Sequence, residues 1–260
     1  MRYYWELYKS FVSTSTAVAM SFRTSFFLLI LMDLFFFAST LLSVDYIYDH
    51  VQQIGDWSRY QLLFFSAFML WIDQVHMAIF STNFWVLGDD IKTGQMDYNL
   101  LKPSNSVFNS FLRYFRPSSV FTSIFGWGAL IYFGLKLDLS WHQWLATPFL
   151  MLLGLMLLVV VEIIISTFMF WLTEGAGINF IRMGLQRVSR YPHFVYNNVA
   201  RKIFLVFIPV LFVGSAPVEF LFNYQSYQLL LGMLLALLVL SLLLNFFWKR
   251  ALNHYESASS

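Results

Sequence analysis

Four ionisable side chains, Asp33, Asp73, His76 and Glu162, lie inside otherwise apolar stretches. At the centre of a membrane helix an acidic or basic group costs about 2.5–3.5 kcal/mol on insertion scales, so it is kept there for a purpose. Two kinds of chemistry suit such groups. They can line a substrate pathway or relay protons along it, or they can tie helices together by hydrogen bonds. Asp73 and His76 are three residues apart, on one helical face, and can pair with each other. Glu162, near the middle of a long apolar run, is the hardest of the four to solvate from either surface.

Enzyme chemistry finds little footing. His50, His142, His193 and His254 are scattered without metal-ligand spacing, and no Ser/His/Asp set converges. Asp89-Asp90 beside Lys92 reads as a solvated acidic pair, so no metal site is expected. The chain has no cysteine, which excludes thiolate catalysis, disulfides and Cys-ligated metals. Its net charge of +2 offers no basic footprint for nucleic acid.

The elements that position these groups follow from composition. Apolar residues make up 59% of the chain and charged residues 12%, with a mean hydropathy of +0.64. That charge content is half of the roughly 25% typical of soluble domains, so a soluble enzyme is excluded. A membrane helix needs about 20 mostly apolar residues. Six runs qualify as spans: about 25–44, 60–80, 115–135, 144–172, 203–213 and 227–248. The first begins too late for a signal peptide and lacks a small-x-small cleavage site, so it is expected to stay as a span.

Basic residues orient these spans. Arg2, Lys9, Arg23, Lys92, Lys102, Arg113, Arg116, Arg182, Arg187, Arg190, Arg201, Lys202, Lys249 and Arg250 fall on one side, and only Arg59 and Lys136 on the other. By the positive-inside rule both termini are cytoplasmic. Trp57, Trp141, Trp144 and Trp248 fall at span ends, where aromatic belts form.

Between the spans, four segments carry pattern. In residues 1–22, Tyr4, Leu7, Tyr8, Phe11 and Val12 recur at helical spacing among polar residues, as in an interfacial helix; a frayed Ser/Thr-rich terminus is the alternative. In 82–113, Gly94 can end a helix or form a turn. Met96-Asp97-Tyr98-Asn99-Leu100-Leu101 then starts an amphipathic turn that Pro103 terminates. It is either a docking surface for another protein or a helix on the lipid interface. In 173–201, Ile178, Ile181, Leu185 and Val188 share a face, with Arg182, Gln186, Arg187 and Arg190 on the others, which predicts a basic helix lying on the inner leaflet. Finally, Ile208-Pro209 bends the fifth span, Gly214 and Pro217 break it, and 218–224 is apolar again. Either a short helix re-enters the outer leaflet or an external loop carries a hydrophobic patch.

The run Lys92-Thr93-Gly94-Gln95-Met96-Asp97-Tyr98-Asn99-Leu100-Leu101-Lys102-Pro103, the Arg190-Tyr191-Pro192 ahead of the fifth span, and Pro209 and Pro217 together resemble the permease subunits of ABC-2 type transporters. The resemblance implies an all-α membrane protein made of a single permease domain over residues 1–260. It would have six transmembrane helices, an N-terminal interfacial helix, a cytoplasmic coupling helix, and a broken or re-entrant segment between spans five and six. It implies a multi-pass protein of the bacterial cytoplasmic (inner) membrane with no catalytic site or cofactor of its own. ATP and Mg would be bound by partner ABC ATPase subunits, consistent with the absence of a G-x-x-x-x-G-K-[ST] motif. Gly94, Asp97, Leu100, Leu101, Lys102 and Pro103 would then form the ATPase-coupling surface. Pro209, Gly214 and Pro217 would break the helix near an outer gate, and Asp33, Asp73, His76 and Glu162 would serve as pathway or inter-helix polar residues. Partners would be the ATPase, membrane lipid, and a second copy or a similar permease. The expected function is outward movement of a hydrophobic or amphipathic substrate. A proton-coupled secondary transporter and a non-transporting scaffold are the alternatives, though paired internal repeats of the kind secondary transporters use are not visible.

Overall fold

A chain this apolar must pair its backbone within each segment, because an unpaired N–H or C=O in hydrocarbon costs several kcal/mol. The computed structural model describes residues 2–172 and 175–255, and among them the regular elements are helical apart from a single bridge between Ile54 and Trp57. In order they are α1 (Arg2–Ser21), α2 (Arg23–Tyr48), α3 (Arg59–Lys92), α4 (Met96–Leu100), α5 (Ser106–Leu112) and α6 (Pro117–Lys136). The rest are α7 (Trp141–Phe170), α8 (Gly175–Ser189), α9 (Asn198–Phe207), α10 (Phe212–Phe222) and α11 (Tyr224–His254). Local signals set several starts. Capping boxes open α3 at Ser58/Gln61 and α7 at Ser140/Gln143, and Pro117 begins α6.

Five helices, α2, α3, α6, α7 and α11, are long and apolar enough to cross a membrane. The centre is α3, with Phe64, Phe65, Phe68 and Ile72 fully buried. Helices α6 and α7 pack on it through glycines: Gly126 lies against Trp71, and Gly154 faces both Ile72 and the Val213 carbonyl. By contrast, α2 and α11 leave most of their apolar surface uncovered. Because a Cβ at position 154 would collide with the Val213 carbonyl oxygen, Gly154→Ala is expected to destabilise the fold by about 1–3 kcal/mol. The midpoint of thermal unfolding in mild detergent reads this directly, and an unchanged midpoint would mean that α10 is not seated on α7.

The fifth pass through the bundle is displaced from where hydropathy predicts it. Gly175 sits so close to Gly88 that a side chain on either would press on the other's Cα. Asn179 donates to the Phe84 carbonyl at 3.3 Å, Gln186 reaches Asp73, and the Phe194 ring covers Gly55 at 5.0 Å from Trp57. These contacts climb α3 and the turn before it from residue 88 to residue 55, so 175–194 runs antiparallel to α3 along its whole length. Next come α9 and α10, bent by 100°. They follow directly on Phe194 beside Trp57 and finish with Phe222 at 5.6 Å from the same Trp57. Their join, meanwhile, reaches the middle of α7 at Gly154. A segment that enters and leaves at one end is a re-entrant hairpin.

Residues 203–213 thus fall in the bent pair rather than in one straight helix, and the basic helix expected on the inner leaflet packs along α3; Thr173 and Glu174 lie outside the described residues. The physical reason is that hydropathy treats each arginine as water-seeking, whereas here acids on α3 and α7 neutralise Arg182 and Arg190. Among the described residues five helices are long and apolar enough to cross a membrane, and the bent pair brings the spans to six if it counts as one. The ends of α1 and α11 share one end of the bundle, called the basic end below because Lys92, Lys102, Arg113, Lys249 and Arg250 cluster there.

Candidate coupling surface and buried charge pairs

At 1.5 Å per residue the 34 residues of α3 extend about 50 Å, well beyond a hydrocarbon core of about 30 Å. The excess lies at the basic end. There a π turn at Met77–Ser81 frees the Ala78 carbonyl, which accepts a hydrogen bond from the Arg116 N–H at 2.8 Å. Arg116 directly precedes α6, whose 20 residues match one crossing. Residues 82–112 accordingly extend past the start of α6 at the basic end.

This projection ends in a knob. Gly94, at φ +75°, adopts the left-handed backbone that glycine tolerates and turns the chain from α3 into α4. Met96 and Asn99 anchor α4 and are buried. Asn99 donates to Asp90 at 3.0 Å and accepts from Lys102 at 3.1 Å. The opposite face presents Tyr98 and Leu101, 65% and 82% exposed, with Leu100 beside them. All six expected coupling residues belong to this knob. Pro103 is exposed with Leu100 and Leu101, whereas Asp97 turns toward Tyr255. Burial first, and then the Asp97 carboxylate, push the Tyr255 hydroxyl up to about 12. Tyr98 is a member that the motif does not single out, although its spacing of three from Leu101 places it on the same face.

Other elements brace the knob. The Tyr4 hydroxyl of α1 accepts from the Asn105 N–H at 3.1 Å, and Ser15 accepts from Phe115 N–H at 3.2 Å. Trp248 of α11 donates to Ser106 at 2.9 Å. Asn83, fully buried, clamps the Tyr114 backbone with two 2.8 Å bonds, one given and one accepted. The end of α3 beside α4 is thus tied to the segment before α6 through Asn83 and Arg116, and touches α8 at the Gly88–Gly175 contact.

The intramembrane acids each meet an arginine. Asp33 of α2 accepts two bonds from Arg116, both at 3.0 Å, and faces Ser119. Asp73 of α3 accepts from Gln186 at 2.9 Å and ion-pairs with Arg190 at 2.7 Å. Glu162 of α7 pairs with Arg182 at 3.1 Å through one oxygen and contacts His76 through the other. Arg182, only 1% exposed, also donates to Asn179 and lies 4.5 Å above the Phe84 ring. Asp73 and His76 thus sit on one face and share Gln186, while their ion-pair partners differ. The arginines that complete the set are invisible to a search for intramembrane acids. The spacing Asn179, Arg182, Gln186, Arg190, one polar face of α8, was the available signal. Of the residues expected to break the helix, Pro209 marks the α9–α10 join, whereas Gly214 and Pro217 do not break it: both are buried inside the continuous helix α10, Gly214 against Phe65 and Met69 of α3. Among the described residues no three His, Asp or Glu side chains gather as metal ligands.

No curated protein and no solved structure matches the chain. A family model described as "ABC-2 family transporter protein" matches residues 34–259, which takes in every element from α3 to α11 and part of α2. Such permeases work with ABC ATPase components. The match covers most of a chain built as a bundle of membrane-crossing helices, and the chain belongs to the ABC-2 transporter family as a multi-pass membrane subunit of an ABC transporter.

Proposed function

We propose that this chain is the permease half of an ABC exporter, gripped by its ATPase at the α4 knob and at α1. The observation that carries this reading is the exposure of Tyr98, Leu100 and Leu101 on a short helix whose buried side is pinned to α3. Solvent-facing apolar side chains held this rigidly favour a protein partner. Closure of two ATPase subunits around ATP would press on α4, shift α3 and α8 together, and bias the bundle toward an outward-open state. The size of that bias is set by how much more tightly ATP binds the closed pair. A second copy or a similar permease would cover the open faces of α2 or α11. The substrate would be hydrophobic or amphipathic. With the basic end in the cytoplasm, the chain would sit in the bacterial inner membrane with both termini inside, and ATP and Mg would bind only to the partner.

Asp33, Asp73 and Glu162 are each bonded to an arginine on another segment of the chain, which favours inter-helix ties over a proton relay. Purification in mild detergent together with the neighbouring gene products tests the proposal. An ATPase subunit that co-elutes and hydrolyses ATP is the expected result. Stable purification without any ATPase, combined with pH-gradient-driven uptake into vesicles, would overturn it.

A further inference from the structure

A groove of about 730 Å³ runs between α1, the first turns of α2 and the segment that leads into α6. Its two ends differ in chemistry. On the membrane side it is walled by Phe22, Phe26 and Leu29. On the other side, beyond the boundary marked by Arg116, it is edged by Lys102 and Arg113. Among the described residues no Asp or Glu lines it. The charge of Arg116 is already taken by Asp33. Lys102 and Arg113 have no such partner to themselves. One carboxylate, Asp90, serves both, and it stands 3.9 Å from Arg113. Burial, and then the nearby Arg113 charge, hold the Lys102 ammonium below the usual lysine range, so the two cations repel across the groove.

We propose that this groove is a binding site for one anionic phospholipid, its phosphate between Lys102 and Arg113 and its acyl chains along Phe22, Phe26 and Leu29. Polarity and position agree with that occupant. A head that is negative and tails that are apolar must meet a cleft that changes character at the membrane boundary, and basic pockets at this depth hold such head groups. Bound there, the lipid fastens α1 to α2 and to the segment leading into α6, which otherwise meet through few bonds. The site needs no ATPase, so its test stands apart from the transport proposal.

Native mass spectrometry of the full chain in mild detergent, after incubation with phosphatidylglycerol or with phosphatidylcholine of the same chain length, reads the site. One phosphatidylglycerol per chain should be retained, at least roughly tenfold in preference to phosphatidylcholine. Lys102→Gln/Arg113→Gln should remove that preference, while Arg2→Gln/Arg250→Gln, which deletes the same charge outside the groove, should keep it. Equal retention of the two lipids by the wild-type chain, or equal loss in both double variants, would overturn the proposal. A measurement on the wild-type chain alone guards against a variant that fails to fold. Phosphatidylglycerol carrying a photoreactive group near the head of its acyl chain should label peptides that contain Phe22 and Phe26, and labelling confined to other helices would also overturn it.

Discussion

Arg182→Ala is expected to destabilise the chain by about 3–5 kcal/mol, the cost of leaving one member of a buried ion pair alone. Glu162 is 1% exposed and would keep only His76 as a polar partner, and the guanidinium stacked on Phe84 would be replaced by a void. The cost should come from the orphaned charge more than from lost attraction, because a buried pair barely repays its own desolvation. Removing both charges therefore offers a sharper comparison. Arg182→Met with Glu162→Gln keeps the volume and a hydrogen-bond partner for His76, and it should recover most of the stability lost in the single variant. Thermal unfolding of the three proteins in one detergent decides the matter. If Arg182→Ala unfolds at the wild-type temperature, Arg182 faces water, and 175–194 does not pass through the bundle.

The second large effect concerns the knob. Leu100→Ser with Leu101→Ser should weaken ATPase binding by about 100-fold or more. Burying a leucine at an interface is worth about 1.5–3 kcal/mol, and each 1.4 kcal/mol is a factor of ten. Stability should hardly change, since Leu101 is 82% exposed and Leu100 39%. Binding affinity by titration of the purified ATPase, with thermal unfolding alongside, separates the two quantities. Undiminished affinity would place the docking surface elsewhere on the basic end.

Much of the architecture was legible in residue types alone. The runs that became α2, α3, α6, α7 and α11 announce themselves because lipid demands about 20 apolar residues in succession, and Gly94 and Pro103 bracket α4 by backbone chemistry. The break at Pro209 was legible too, although its consequence was not, and Gly214 and Pro217, which also read as breakers, lie inside α10. A run of apolar residues around 203–213 does not reveal that the chain returns to the end it came from. That depends on Phe194 and Phe222 both meeting Trp57, contacts more than a hundred residues away in sequence.

The least legible element was α8. Its arginines read as surface charges until Glu162 and Asp73, 20 and 117 residues away, are set against them. Equally, the Asp33–Arg116 pair joins residues 83 apart. Periodicity along one helix carries no trace of a partner on another, so the acids could be found and their role could not. In the knob the reverse holds. The residues were named by their motif, while what fixes the knob's base, the Asn83 side-chain clamp on Tyr114 and the π turn, is not encoded in a motif.

Docking of an ATPase at α4 is directly testable because the chain has no native cysteine. Leu101→Cys gives a chain with one thiol, which can carry a photoreactive maleimide in native membranes. Irradiation should join it to a subunit whose peptides include a G-x-x-x-x-G-K-[ST] motif, with a yield that changes when ATP is added. Cross-links only to lipid, or to proteins without a nucleotide-binding motif, would show that no ATPase docks at α4.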